Sequence, residues 1–183
     1  METVQTIPDV LIYETVEGQP VYYKQYRDYL EGTQTLEEIT GSSYLQSDIV
    51  SLLLHHLMSS PRKDYKALTN ELGLQLAKST HRAANIAIVA KSKLKDTQDK
   101  KKYLAIPPDV VIEVDIKADL EGQPALGYIT DKTEALFAFG VDQVLWILSD
   151  AEKIIVATPA SDWQIVSWTK DVNVIGDCTI NLE

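Results

Sequence analysis

The sequence predicts an α/β fold: a mixed central β-sheet flanked by helices, with a hairpin and helices at the N-terminus. Three observations support this class. Short apolar segments rich in β-branched residues recur along the chain, residues 110–148 have the pattern of a strand–helix–strand crossover, and the last strands are close enough in sequence to pair antiparallel. A crossover joins parallel strands and a tight turn joins antiparallel strands, so the predicted sheet is mixed.

The N-terminal part is predicted to form a hairpin followed by helices. Residues 10–23 alternate weakly and are interrupted by Glu17-Gly18-Gln19-Pro20, which is typical of a hairpin turn. Residues 26–30 form a short predicted helix. Residues 44–58 are predicted as a longer helix because apolar residues recur every four positions, as on a buried stripe: Leu45, Ile49, Leu53 and Leu57.

The remaining elements form the predicted sheet and its crossover helix. Residues 72–77 and 85–90 are short, apolar and flanked by polar or turn-forming residues, so they are predicted as neighbouring strands. The crossover consists of a strand at 109–117 and a helix at 128–139, which Gly140 ends as a C-terminal cap. Three further strands complete the sheet, at 144–148, 153–157 and 163–168.

The length and composition predict one domain, residues 1–183, in the cytoplasm. A chain of 183 residues with 45% apolar content is long enough to bury one substantial core. No apolar run approaches the ~20 residues that a membrane span needs, and residues 1–8 lack the basic and apolar regions of a secretion signal. Cys178 is the only cysteine, so no intramolecular disulfide can form, which fits a reducing compartment.

The charge of the chain is acidic overall but basic in one segment. A formal charge of −10 disfavours binding of nucleic acid through bulk electrostatics. Six of the 17 basic residues nevertheless fall within residues 91–102. Two interpretations remain open: a local basic ridge that contacts phosphate, or a solvated loop and short helix kept soluble by its lysines.

The predicted strand at 109–117 carries the residues with chemical potential. Alternate residues of a strand share a face, which places three carboxylates and one ammonium group together: Asp109, Glu113, Asp115 and Lys117. Neighbouring carboxylates repel each other unless a cation compensates, and Mg²⁺ is typically held by one or two carboxylates with waters and phosphate. A nearby lysine can then assist the attack of water on a phosphodiester. The alternative is a strand whose charged face is exposed to solvent.

A lysine on the crossover helix lies within an otherwise apolar stripe. Lys132 is flanked on its helical face by Tyr128, Ile129 and Leu136. A lysine in that position must either extend to solvent or meet a carboxylate. Because a crossover helix packs on its own sheet, Lys132 is predicted to reach the neighbourhood of Glu113, with extension to solvent as the alternative.

Three segments in order resemble the Uma-type family of restriction endonuclease-like proteins of bacteria. They are Pro108-Asp-Val-Val-Ile-Glu-Val, then Asp131-Lys-Thr-Glu-Ala-Leu-Phe-Ala-Phe-Gly-Val, then Val144-Leu-Trp-Ile-Leu, and they span about forty residues. A weaker match covers residues 74–89. The resemblance implies a restriction-endonuclease-like fold with a PD-(D/E)xK site, in which an Asp and the Glu of the central strand bind metal and a lysine assists.

Carried over by position, the family's Glu is Glu113, its helical lysine is Lys132, and its metal-binding Asp falls on Asn85. Asn is a neutral donor and binds a divalent cation more weakly than Asp does. Either the site is degenerate, or Asp115 and Lys117, which form a literal DxK, rebuild it. The expected catalytic residues are therefore Glu113, Asp115, Lys117 and Lys132. The expected ligands of Mg²⁺ or Mn²⁺ are Glu113 with Asp115 or Asn85, and Asp109 is a further candidate ligand.

Two functions follow from these residues. The first is a metal-dependent DNA endonuclease, expected as a homodimer because cutting two strands favours two sites and exposed strand edges invite pairing. The second is a binding or regulatory module that keeps the fold without the chemistry. Asn85 and the acidic charge both favour the second function.

Overall fold

The computed structural model describes residues 6–59, 64–95 and 99–183, which form a mixed α/β fold with a large, mostly antiparallel sheet. The helices among these residues are α1 (Tyr26–Leu30), α2 (Leu36–Thr40), α3 (Tyr44–Ser59), α4 (Lys91–Leu94) and α5 (Ala125–Phe139). The strands are β1 (Ile12–Val16), β2 (Gln19–Tyr22), β3 (Tyr65–Ala77), β4 (Thr80–Ala90), β5 (Val110–Val114), β6 (Gln143–Leu148), β7 (Lys153–Thr158), β8 (Ser161–Ser167), β9 (Val172–Ile175) and β10 (Cys178–Ile180).

The central sheet has the order β2-β1-β4-β5-β6-β7-β8, and β3 also pairs with β4. Strands β5 and β6 are parallel, and the other described pairs of this sheet are antiparallel. Helix α5 connects β5 to β6, so the predicted crossover unit and the mixed sheet are confirmed. Strands β9 and β10 form a separate antiparallel pair.

Each face of the sheet is covered by a helix, and every residue of β5 is buried between them. Val111 packs on the face of α5, together with Ile129 and Leu136. Its neighbours in β5 pack on the opposite face, with Ile49 and Leu53 of α3. A strand buried on both faces is expected at the centre of an α/β sheet. It also means that a charged side chain in β5 must find its partner inside the protein.

Most predicted elements are present, with some differences in length. The hairpin, the helices at 26–30, 44–58 and 128–139, and the last three strands of the central sheet are confirmed. Strands β3 and β4 are longer than predicted. A bulge lies in β3 where Asn70 and Glu71 have φ of 73° and 50°, and it interrupts the apolar pattern. No helix in the described parts of the chain is long and apolar enough to cross a lipid bilayer.

The strand predicted at 109–117 is shorter than expected, which corrects the predicted cluster. Strand β5 ends at Val114, and Asp115 has a φ of 55°, in the left-handed region. This change of conformation ends the alternation of side chains. The expectation that Asp115 and Lys117 lie on the same strand face as Glu113 is therefore wrong.

Candidate functional site

A buried cluster of four charged side chains lies between the sheet and α5. Nζ of Lys132 is 2.8 Å from Oε1 of Glu14 and 3.0 Å from Oε1 of Glu113. Nη1 of Arg82 is 2.8 Å from Oε2 of Glu14. The four residues come from α5, β1, β5 and β4, and each is at most 5% exposed. The prediction that Lys132 reaches Glu113 is confirmed.

Glu14 has the most complete set of partners in this cluster. The backbone N–H of Ala83 donates to Oε1 of Glu14 over 3.0 Å, and the hydroxyl of Tyr128 donates to Oε2 over 2.9 Å. Both oxygens of Glu14 therefore accept a hydrogen bond and also contact a cation. Hydrogen bonds and charge partners of this kind are what a fully buried carboxylate requires.

The two glutamates respond differently to burial. Burial raises the pKa of Glu113 to about 7, although the ammonium group of Lys132 acts in the opposite direction. Burial would also raise the pKa of Glu14, but the charges of Lys132 and Arg82 outweigh it and hold that pKa below its usual value. Burial disfavours the charged form of Lys132, yet Glu113 and Glu14 together raise its pKa well above the ordinary value. The cluster therefore contains a charged lysine between two glutamates whose pKa values are shifted in opposite directions.

Aromatic rings enclose the ammonium group of Lys132. Its Nζ lies 5.6 Å from the ring centroids of Tyr13 and Trp146, and 6.0 Å from that of Tyr128. Ring faces at these distances attract a cation. Burial raises the pKa of Tyr13, so its hydroxyl stays neutral. The ammonium group of Lys132 is therefore surrounded by these rings and by the carboxylates of Glu14 and Glu113.

Asn85 is used as a structural residue beside this cluster. Its Oδ1 accepts a hydrogen bond from the backbone N–H of Val114 over 2.8 Å, just beyond the last paired residues of β4 and β5. Nε2 of Gln46 donates to the carbonyl oxygen of Val114 over 3.0 Å. Asn85 also lines a cavity with α3 residues, whereas Glu113 contacts Lys132 on the face that α5 covers. The two expected ligands are therefore each engaged with a different protein group, the backbone N–H of Val114 and the ammonium group of Lys132.

The DxK residues also have partners elsewhere. The carboxylate of Asp115 accepts hydrogen bonds from the N–H and the hydroxyl of Ser149, over 2.8 and 2.7 Å. Nζ of Lys117 forms an ion pair with Glu71 of the β3 bulge and donates to the hydroxyl of Ser42 over 3.3 Å. Both residues lie at the end of β5, where they fix loops to the sheet.

Asp109, the remaining candidate ligand, is tied to the other end of β5. Its Oδ2 accepts a hydrogen bond from the backbone N–H of Ala90 over 2.7 Å, and its Oδ1 lies 3.0 Å from Nζ of Lys93. These contacts hold the start of β5 to the end of β4, so Asp109 has a structural role.

The residues at the expected metal positions do not fit a divalent cation in this arrangement. Mg²⁺ requires oxygen ligands that converge on one point. Glu113 contacts an ammonium group instead, and the oxygens of Asn85 and Asp115 accept hydrogen bonds from protein groups. Within residues 6–59, 64–95 and 99–183, no group of three or more His, Cys, Asp or Glu side chains is arranged to hold a metal ion.

The surface beside the cluster is acidic. A cavity of about 530 Å³ reaches Arg82 and Tyr128 from outside. Five carboxylates line it, those of Glu17, Asp119, Glu121, Asp131 and Glu134. A phosphodiester that approached the cluster by this route would meet like charge.

Sequence reasoning missed three charged residues that complete these arrangements. Glu14 and Arg82 reach the cluster because β1 pairs with β4, with Thr15 opposite His81. Glu71 reaches Lys117 through the bulge in β3. Arg82 carried the clearest signal in the sequence, because a charge that directly precedes a run of small and apolar residues needs a buried partner.

A solved structure from Anabaena variabilis, described as a putative nuclease belonging to DUF820, shares the fold of this chain. The two chains are 17% identical, the match covers 88% of this chain and 80% of the other, and the TM-score is 0.58. No protein-family model matches the chain, and no curated protein matches it in sequence. The structural likeness shows a nuclease-like fold, which is the fold class that the sequence predicted.

Proposed function

We propose that this chain is a nuclease-fold protein that binds DNA without cleaving it. The proposal rests on one observation: the residues that were expected to be catalytic make structural contacts instead. Glu113 is held in a closed ion-pair cluster, and Asn85 is hydrogen-bonded to the backbone of Val114. A fully buried carboxylate that contacts a buried ammonium group is poorly placed to bind a metal ion or a phosphate.

The DNA-binding part of the proposal rests on the fold and on one basic segment. The neighbour from Anabaena variabilis is described as a putative nuclease, which makes nucleic acid the first partner class to test. Six lysines and two aspartates lie within residues 91–102, so this segment is positive on an otherwise acidic chain. Binding through a few phosphate contacts should be weak and should fall as the salt concentration rises.

A cleavage assay tests the absence of catalysis. Supercoiled plasmid and single-stranded DNA are incubated with the protein and Mg²⁺ or Mn²⁺, and the products are separated on gels. We expect no cleavage by the native chain. We also expect none by Asn85→Asp, because Glu113 would still be paired with Lys132 inside the protein. Metal-dependent cleavage that Glu113→Gln abolishes would contradict the proposal.

A second candidate is a metal-dependent DNA endonuclease, active as a homodimer with Mg²⁺ or Mn²⁺. It is favoured by one observation: a lysine and a carboxylate with a pKa of about 7 lie 3.0 Å apart at the positions that the family resemblance marks. This candidate requires Glu113 to leave Lys132, and Asp115 or Asn85 to give up the hydrogen bonds described above. In the same assay it predicts cleavage by the native chain, and it predicts no cleavage by Lys132→Met.

A further inference from the structure

An exposed tyrosine is fixed against the edge of the sheet next to the basic segment. Tyr103 is 56% exposed, yet its ring lies directly against the backbone of Gly73 in β3. A Cβ atom at position 73 would collide with Cγ, Cδ1 and Cε1 of this ring. The ring therefore has one face on the protein backbone, and much of the rest of its surface is open to solvent.

The neighbouring residue Leu104 and the ring of His81 hold Tyr103 in this position. The backbone N–H of Leu104 donates to the carbonyl oxygen of Gly73, and the N–H of Gln75 donates to that of Leu104, both over 2.9 Å. The Leu104 side chain is buried, which anchors the segment on β3. His81 meets the Tyr103 ring edge-on, with centroids 5.3 Å apart and planes at 70°. An exposed aromatic ring restrained in this way loses little freedom when a ligand packs on it.

Three lysines precede this ring. Lys100, Lys101 and Lys102 are all exposed, and the described contact of Lys102 with a carboxylate is a weak ion pair of 3.6 Å with Asp99. The open ring and these ammonium groups thus form one surface, residues 100–103, which we name the Tyr103 platform. None of its residues is among those that line the acid-lined cavity beside the buried cluster.

We infer that the Tyr103 platform binds single-stranded nucleic acid. Proteins that bind single strands combine aromatic rings, on which unpaired bases stack, with positive charges that follow the phosphates. A fixed and open ring suits an unstacked base, whereas the bases of a duplex are already stacked on each other. This inference rests on the proposed nucleic-acid binding and names the class of nucleic acid and the surface involved.

The experiment measures the binding of a fluorescein-labelled oligothymidylate to the full chain by fluorescence anisotropy at low salt. Removing one base–aromatic stack weakens binding roughly 5- to 150-fold. We expect a loss of that size for Tyr103→Ala and little change for Tyr103→Phe, which keeps the ring. Replacing Lys100, Lys101 and Lys102 with Glu should weaken binding and flatten its salt dependence.

Gly73→Ala is the sharpest variant because it changes neither the ring nor the charges. Gly73 lies in a strand without a positive φ, so alanine suits its backbone, but the new methyl group must push the Tyr103 ring away. We expect it to weaken oligonucleotide binding about as much as Tyr103→Ala does. Tyr44→Ala is the matched control, since Tyr44 is 87% exposed and lies on α3. Circular dichroism and thermal melting confirm that each variant is folded.

The outcomes separate this inference from the proposed function. If the native chain binds oligothymidylate, and Tyr103→Ala and Gly73→Ala bind it equally well, the platform is overturned while nucleic-acid binding stands. If the native chain binds duplex but not single-stranded DNA, the platform is overturned as well. If it binds no nucleic acid at all, both proposals fail. Cleavage of the bound strand would contradict the proposed absence of catalysis and would leave the platform in place.

Discussion

Lys132 is the residue on which the buried cluster depends. It contacts Glu14 and Glu113 at once, and its side chain is 1% exposed, so water cannot take its place as the partner of either glutamate. Removing one member of a buried ion pair leaves an uncompensated charge in the protein interior. The cluster is therefore expected to make each of its members important for stability, whatever its role in binding.

Lys132→Met tests this dependence. The substitution keeps much of the apolar stem and removes the ammonium group from between the two carboxyl groups. We expect a loss of about 3–5 kcal/mol in the free energy of unfolding, measured with urea at neutral pH. Lys153→Met, at an exposed position in β7, should change it by less than about 0.5 kcal/mol. Equal effects of the two substitutions would show that Lys132 is not needed to balance buried charge.

Glu113 gives the stability of the protein a pH dependence of defined sign. Its pKa is about 7 in the folded chain and 4.5 as the ordinary value, so the folded state holds this proton more tightly than the unfolded state does. The contribution of Glu113 to stability is full below pH 4.5 and is lost as the pH rises through 7. The expected loss is about 3 kcal/mol over this window.

Glu113→Gln should remove this dependence, because glutamine does not titrate. Urea unfolding of both proteins at a series of pH values from about 4.5 to 8 checks the prediction. The native chain should lose stability relative to the variant as the pH rises. Parallel curves for the two proteins would mean that Glu113 is ionised over the whole range.

At the scale of elements, the end of β5 decides which charges meet. Asp115 leaves the strand with a left-handed φ and fixes Ser149 at the end of β6 by two hydrogen bonds. Asp115→Ala removes both bonds and places alanine in an unfavourable backbone conformation, so we expect a cost of about 2 kcal/mol. Asp115→Asn should cost less, because an amide keeps one acceptor and asparagine tolerates this φ.

Urea unfolding of the two Asp115 variants measures these costs. Asp162→Ala, at an exposed position in the edge strand β8, is the matched control and should be close to neutral. If Asp115→Ala were as stable as the control, Asp115 would be free of a structural role and available for a ligand.

The elements also show what the sequence could and could not predict. Strand β5 and helix α5 are neighbours in the chain, so the contact of Glu113 with Lys132 followed from the crossover geometry. Glu14 and Arg82 are 68 residues apart, and their contact depends on strand pairing that no local pattern reveals. The alternation rule failed beyond Val114 because one residue adopts a positive φ, which the type of residue alone does not indicate.

At the scale of the whole molecule, charge is divided between regions with different roles. The chain carries a net charge of −10, and acidic residues line the cavity that reaches Arg82 and Tyr128. Lysines concentrate instead in residues 91–102, and the chain that follows them is bridged to β3 at Leu104. We therefore place the proposed binding of nucleic acid at the Tyr103 platform and not at the acid-lined cavity.

The most direct test of the closed cluster is thermal unfolding of the native chain and of Glu113→Gln with increasing Mn²⁺. A metal ion that binds the folded state raises its stability by mass action, about 2.7 kcal/mol at one hundred times its dissociation constant. If Glu113 stays paired with Lys132 in the buried cluster, Mn²⁺ should shift the melting temperatures of the two proteins equally, each measured from its own metal-free value. A shift that grows with Mn²⁺ in the native chain and is absent in Glu113→Gln would contradict it.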